Sequence, residues 1–143
     1  MPGVKDWIAK ALSDLKSARK LAKDDDETLD QTAYFTQQSA EKALKTYLVF
    51  KRFPVPRTHD LEKLLMYCIK LDSTFEGLRT EAELLSPYAT YTRYPDDRFN
   101  IDRNEVVEAI RCAEKILKFV KKKEVTFGDQ ALIEVAYGFK NLE

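Results

Sequence analysis

Glycine is scarce in this sequence, with four in 143 residues, and the P-loop, the dinucleotide-binding glycine fingerprint and the nucleophile elbow are all missing. No phosphate cradle of the glycine-loop kind is therefore available. The two cysteines, Cys68 and Cys112, stand far apart with no CxxC spacing, and there is a single histidine. No knuckle of metal ligands forms from such a set, and no metal or other cofactor is expected. No run of 18 apolar residues occurs, which argues against a membrane span, and the start MPGVKDWIAKAL meets charge too early for a secretory leader. A cytoplasmic setting with both cysteines reduced and buried is the expectation. Charge of one sign is also absent: 24 Lys and Arg balance 24 Asp and Glu, which excludes a general polycation but leaves room for a local basic groove. At 44% hydrophobic, the chain is long enough for one domain with a core of its own.

Amphipathic helical periodicity dominates what remains. Trp7, Ile8, Ala11, Leu12, Leu15, Ala18, Leu21 and Ala22 recur at steps of three and four, predicting a first helix from about Val4 to Lys23 with Asp14 on its polar side. Thr28 and Gln31 have capping-box spacing and predict the start of a second helix, QTAYFTQQSAEKALKTYLVF, which Pro54 and Pro56 close off. Its stripe of Ala33, Tyr34, Gln37, Ala40, Glu41, Leu44, Tyr47 and Leu48 is unusual, because Gln37 and Glu41 fall on the face that should be buried. A third helix, capped by Thr58 or Asp60, carries Leu61, Leu64, Leu65, Cys68 and Ile69. A fourth starts at Ser73 or Thr74, runs to about Ser86, and carries Phe75, Leu78, Ala82 and Leu85. Residues Pro87 to Ile101 lose all helical period and read as an aromatic, polar loop. Asp102 with Glu105 is another capping box, opening a last helix whose core face is Val106, Val107, Ile110, Ala113, Ile116, Leu117 and Val120. The fold class that follows is all-α, an up-and-down bundle of four to five helices over residues 1–124. Residues 125–143 form a C-terminal extension, expected to be a strand, a helix from about Asp129, or a segment docked on the bundle or a partner.

Three groups of residues could carry chemistry. His59 lies between the second and third helices beside Arg52 and Arg57, where cationic groups could meet a phosphate. Histidine is also the side chain suited to proton transfer near neutral pH; the plainer reading is a structural bond across the bundle. In PYATYTRYPDDRF, Tyr91 and Tyr94 could stack a base and Arg93 could pair with phosphate, or the segment could serve as a protein interface. Gln37, Gln38, Glu41 and Lys42 make a polar inset on the second helix, where a buried glutamate needs a cationic partner such as Lys45 or Arg93.

The pieces QTAYFTQQSAEKALKTYLVF, PRTHDLEKLL and TRYPD, in that order, resemble the HEPN domain over about Asp6 to Lys122. The resemblance implies a small helical bundle, often a homodimer, similar to the helical domain of antibiotic nucleotidyltransferases. It implies nucleotide binding, with Gln38, Glu41, Lys42, His59, Tyr91, Arg93 and Tyr94 at the site, and a minimal nucleotidyltransferase as partner in a toxin–antitoxin system. Some branches are metal-independent ribonucleases with four to six residues between an arginine and a following histidine. Arg52 and His59 have six residues between them and would be the catalytic pair of that alternative, in a cleft between two protomers. A third alternative is a non-catalytic dimeric adaptor.

Overall fold

The computed structural model describes residues 2–24, 28–91 and 101–123. Among them the regular elements are helices α1 (Val4–Asp24), α2 (Leu29–Phe50), α3 (Leu61–Leu71), α4 (Arg79–Leu85), the single turn α5 (Tyr88–Tyr91) and α6 (Arg103–Lys123), with a 3-10 segment at Ser73–Leu78 between α3 and α4. Helix α2 is the axis of the bundle, packing against α1, α3, α4, α5 and α6. Hydrogen bonds from the Thr28 hydroxyl to the Leu21 carbonyl and from Ser39 Oγ to the Ala11 carbonyl set α1 antiparallel to α2. Alanines at 11, 33, 40 and 43, all fully buried, let the helices approach closely. The aromatic centre is Phe75, whose ring lies 4.4 Å from that of Tyr47 and 4.9 Å from that of Phe119.

Helix ends follow local chemistry. Asp60 caps α3, its carboxylate accepting from the amides of Glu62 and Lys63. Asp102 and Glu105 form the reciprocal box expected before α6, each carboxylate accepting the other residue's backbone N–H. Thr28 does precede α2, but no box forms there: its side chain makes no capping bond and turns to α1 instead. The expected fourth helix is divided, because Asp72 caps a 3-10 segment before α4 begins at Arg79, although Phe75, Leu78, Ala82 and Leu85 are all buried as the pattern required. The loop expected from Pro87 opens with the turn α5, and residues 92–100 lie outside the described ones. Two side chains contradict the helical pattern. Asp14, assigned to the polar side of α1, is 3% exposed, and Val107, assigned to the core, is 57% exposed.

Arg52 ends α2 in a left-handed conformation, with φ of 57°. The Arg52 N–H donates to the Val49 carbonyl and the Phe53 N–H to the Leu48 carbonyl, the paired bonds of a Schellman stop. Glycine usually holds this position because a Cβ is disfavoured there. Arg52→Gly is accordingly expected to keep stability within about 0.5 kcal/mol of wild type, whereas β-branched Arg52→Val should lose about 1–2 kcal/mol in urea unfolding.

Candidate functional site

Glu41 projects from the middle of α2 with its side chain wholly removed from solvent. A carboxylate in that position is tolerable only if its charge is met. Three cations or protonatable groups meet it: Lys42 Nζ and Lys45 Nζ each lie 3.0 Å from Oε2, and His59 Nδ1 lies 2.9 Å from Oε1. Burial alone would raise the Glu41 pKa. The hydrogen bond and charge of Lys42, the His59 bond and the Lys45 charge together outweigh it and hold the carboxyl below its ordinary value. The two lysines differ in access, since the Lys45 side chain is buried under Trp7, with Nζ 5.6 Å from the ring centre, while Lys42 reaches the surface.

Gln37, which looked out of place on α2, and Gln38 beside it complete a closed ring of hydrogen bonds. Gln37 Nε2 donates to the His59 carbonyl at 3.0 Å, and Gln38 Nε2 donates to Gln37 Oε1 at 2.7 Å. Lys42 Nζ then donates to Gln38 Oε1 and to Glu41 Oε2, both at 3.0 Å, and Glu41 Oε1 returns to the His59 ring. The ring starts on the backbone of His59 and ends on its imidazole. It fixes both the loop that carries the histidine and the orientation of the side chain. With a charged carboxylate at Nδ1, that nitrogen carries hydrogen and Nε2 is the atom left for other chemistry. The His59 side chain is 62% exposed, so this atom belongs to the outer rim of the cluster.

Asp14 adds a second buried carboxylate from α1. Its Oδ1 lies 3.4 Å from Lys10 Nζ, while Oδ2 has no hydrogen-bond partner. Burial raises its pKa against the opposing pull of Lys10 and Lys42, with Glu41 adding to the rise. Asp14 and Glu41 thus sit in the same field with opposite shifts.

Of the residues expected at a site, Gln38, Glu41, Lys42 and His59 are brought together. Arg52 is not joined to them: among the described residues no hydrogen bond links it to His59 or Glu41, and its backbone serves the α2 stop. The Tyr91 side chain, Arg93 and Tyr94 lie outside the described residues. Trp7 and Asp14 were missed as members of the cluster, whereas Lys45, one of the two partners named for Glu41, does meet it. The contact of Trp7 and Asp14 with α2 depends on how α1 crosses it, which no local pattern encodes. For Lys45 the signal was present, four residues after Glu41 on one helix. Among the described residues no group of three metal-ligating side chains occurs, and no helix is long and apolar enough to cross a membrane.

The same α2 signature, the Thr58-His59-Asp60 turn and the bundle around them are the features by which this chain can be classified. The HEPN domain family matches residues 4–123, and the chain belongs to that family. It is similar to TT1696 from Thermus thermophilus, whose crystal structure superposes with a TM-score of 0.71 at 30% identity, covering 86% of this chain and 99% of that one. It is also similar to ST0689, described as an archaeal HEPN homologue, with a TM-score of 0.69 at 29% identity over 86% of this chain and 98% of that one. No curated protein matches the chain.

Proposed function

We propose that the Glu41 cluster is an anion site through which this HEPN domain binds the phosphate groups of a nucleotide. The observation that carries the reading is the charge at the cluster: Glu41 and Asp14 stand against Lys10, Lys42 and Lys45, and His59 completes the set. Lys42 uses two donors on Gln38 and Glu41, which leaves its third N–H for an incoming oxygen at the rim. His59 Nε2 stands on the same rim and would donate to the ligand when protonated. Arg93 would add a further cation, and Tyr91 or Tyr94 a stacking surface for the base. The module would act as a homodimer beside a minimal nucleotidyltransferase, in a toxin–antitoxin pair, as the family resemblance suggests.

Trp7 is the only tryptophan in the chain and touches Lys45, so its emission reports on this cluster without a label. Titration with ATP is expected to change that emission saturably. Lys42→Ala should weaken the apparent affinity by about ten-fold or more, the worth of one charge-assisted hydrogen bond. An unchanged titration in that variant would remove the cluster from the binding reaction.

A second reading, a metal-independent ribonuclease, is favoured by one observation. A buried glutamate holding the Nδ1 side of a histidine is the arrangement that readies Nε2 to take a proton, here from a ribose 2′-hydroxyl. Single-stranded RNA offered in place of ATP distinguishes the two, since cleavage abolished by His59→Ala supports the ribonuclease and binding without cleavage supports the nucleotide module.

A further inference from the structure

The hydrogen-bond ring around Glu41 satisfies its own members but leaves Asp14 out. Along α1, Trp7, Ala11 and Asp14 recur at steps of four and three, which puts them on one side of the helix. That side is turned to α2, because Trp7 lies against Lys45 and the Ala11 carbonyl accepts from Ser39 Oγ. Asp14 continues the same seam about one turn past Ala11. The charges of Lys42 and Glu41 both act on its carboxyl, so it stands beside the ring rather than apart from it. The side chain is 5% exposed, and Oδ2 has no hydrogen-bond partner. Lys10 reaches Oδ1 from the surface at 3.4 Å, longer than an ordinary hydrogen bond.

A buried acceptor that meets no donor costs stability, so Asp14 is a group that the unliganded fold does not use. What would satisfy it is narrow. A fully ionised phosphate has no hydrogen to give and is repelled by a carboxylate. A hydroxyl gives its hydrogen to an ionised Oδ2 and accepts one from a protonated Oδ2, so it fits either state of the acid. It can also accept from Lys10 Nζ. The Lys10 side chain is 59% exposed and can turn to water at small cost, which opens the way to Asp14 from the surface.

We infer that Asp14 is the specificity residue of this site, its carboxyl pairing with a ribose hydroxyl of the nucleotide whose phosphates Lys42 holds. The inference rests on the phosphate-binding reading above and narrows its ligand from an anion to a ribonucleotide. The two helices then divide the work. Lys42 of α2 and His59 of the following loop take the phosphates at the rim, and Asp14 and Lys10 of α1 take the sugar. Charge alone does not tell one sugar from another. An analogue lacking the hydroxyl leaves Oδ2 as it is in the free protein and forfeits the bond.

Trp7 emission follows titrations of the full chain with ATP, 2′-deoxy-ATP and 3′-deoxy-ATP, with inorganic tripolyphosphate as the phosphate-only probe. ATP is expected to bind about ten-fold or more tightly than at least one deoxy analogue, as one hydrogen bond to a charged group requires. Asp14→Leu, similar in size but without an acceptor, should bring ATP and both analogues to one affinity. Asp14→Asn keeps an acceptor oxygen and should retain part of the difference. The urea midpoint of Asp14→Leu is expected at or above that of wild type, which separates lost recognition from a lost fold. Equal wild-type affinities for ATP and both deoxy analogues, a comparison that needs no variant, would overturn the inference and leave phosphate binding standing. A preference that survives Asp14→Leu would overturn it too, because the sugar would then be read elsewhere. No response to either ATP or tripolyphosphate would remove the phosphate-binding reading, and the inference with it.

Discussion

Replacing Glu41 by glutamine is expected to destabilise the protein by about 3–5 kcal/mol, measured by urea unfolding at pH 7, although the side chain keeps its shape. The reason is the buried Lys45, whose charge would lose its only close carboxylate among the described residues while remaining under Trp7. Lys42 would lose a partner too, but it can turn to water. The cost falls on the uncompensated cation rather than on the missing hydrogen bond, so Glu41→Leu combined with Lys45→Met should lose less stability than Glu41→Gln alone. A loss below about 1 kcal/mol for the single variant would mean that Lys45 escapes to solvent, as a surface ion does. The variant should also change the response to acid. The Glu41 pKa lies below its ordinary value of 4.5 in the folded protein. Its contribution to stability is therefore complete above that value and is lost as the pH falls through the folded pKa. Asp14 works in the opposite sense: its folded pKa is raised, so its contribution is complete below 3.8 and disappears as the pH rises through the folded value. Removing Glu41 leaves Asp14 in control, and the acid limb of the stability curve should become shallower.

Phe75→Ala should cost about 3–5 kcal/mol, the range for removing a large aromatic side chain from a closed core. Phe75 is 0% exposed and its ring is held between Tyr47 of α2 and Phe119 of α6. Loss of the ring leaves a void that Tyr47 and Phe119 cannot both fill without leaving their rotamers. Phe75→Leu should recover roughly half of the loss, because most of the apolar volume returns while the edge-on ring contacts do not. If alanine cost less than about 2 kcal/mol, the 3-10 segment carrying Phe75 would have to collapse into the space without strain.

Most helices could be drawn from the sequence because their stripes are long and their stops are chemical. Leu61, Leu64, Leu65 and Cys68 recur on one side of α3, Asp60 opens it, and the structure buries all four. The errors came where burial is decided by a neighbour. Asp14 looks polar on α1 taken alone, and only the crossing with α2 encloses it. Val107 looks apolar on α6, yet no other described element covers it. The family itself was legible in the three motifs, and the HEPN match over residues 4–123 agrees with it. The candidate site was half legible. A glutamate and a glutamine on a buried stripe signal a polar cluster, but nothing local says that the loop of His59 returns to close it. Arg52 was singled out by spacing, and six intervening residues say nothing about a backbone that turns left-handed at the helix end.

Helix α2 buries 15 of its 22 residues. An element enclosed by its neighbours in this way has no cheap local opening, so its amides should exchange with solvent hydrogen only when the whole bundle unfolds. Gln37, Gln38, Glu41, Lys42 and Lys45 all ride on it. The cluster therefore opens on the slowest clock in the protein, and a ligand held there would lower the unfolded population behind every helix around it by the factor 1 + [L]/Kd.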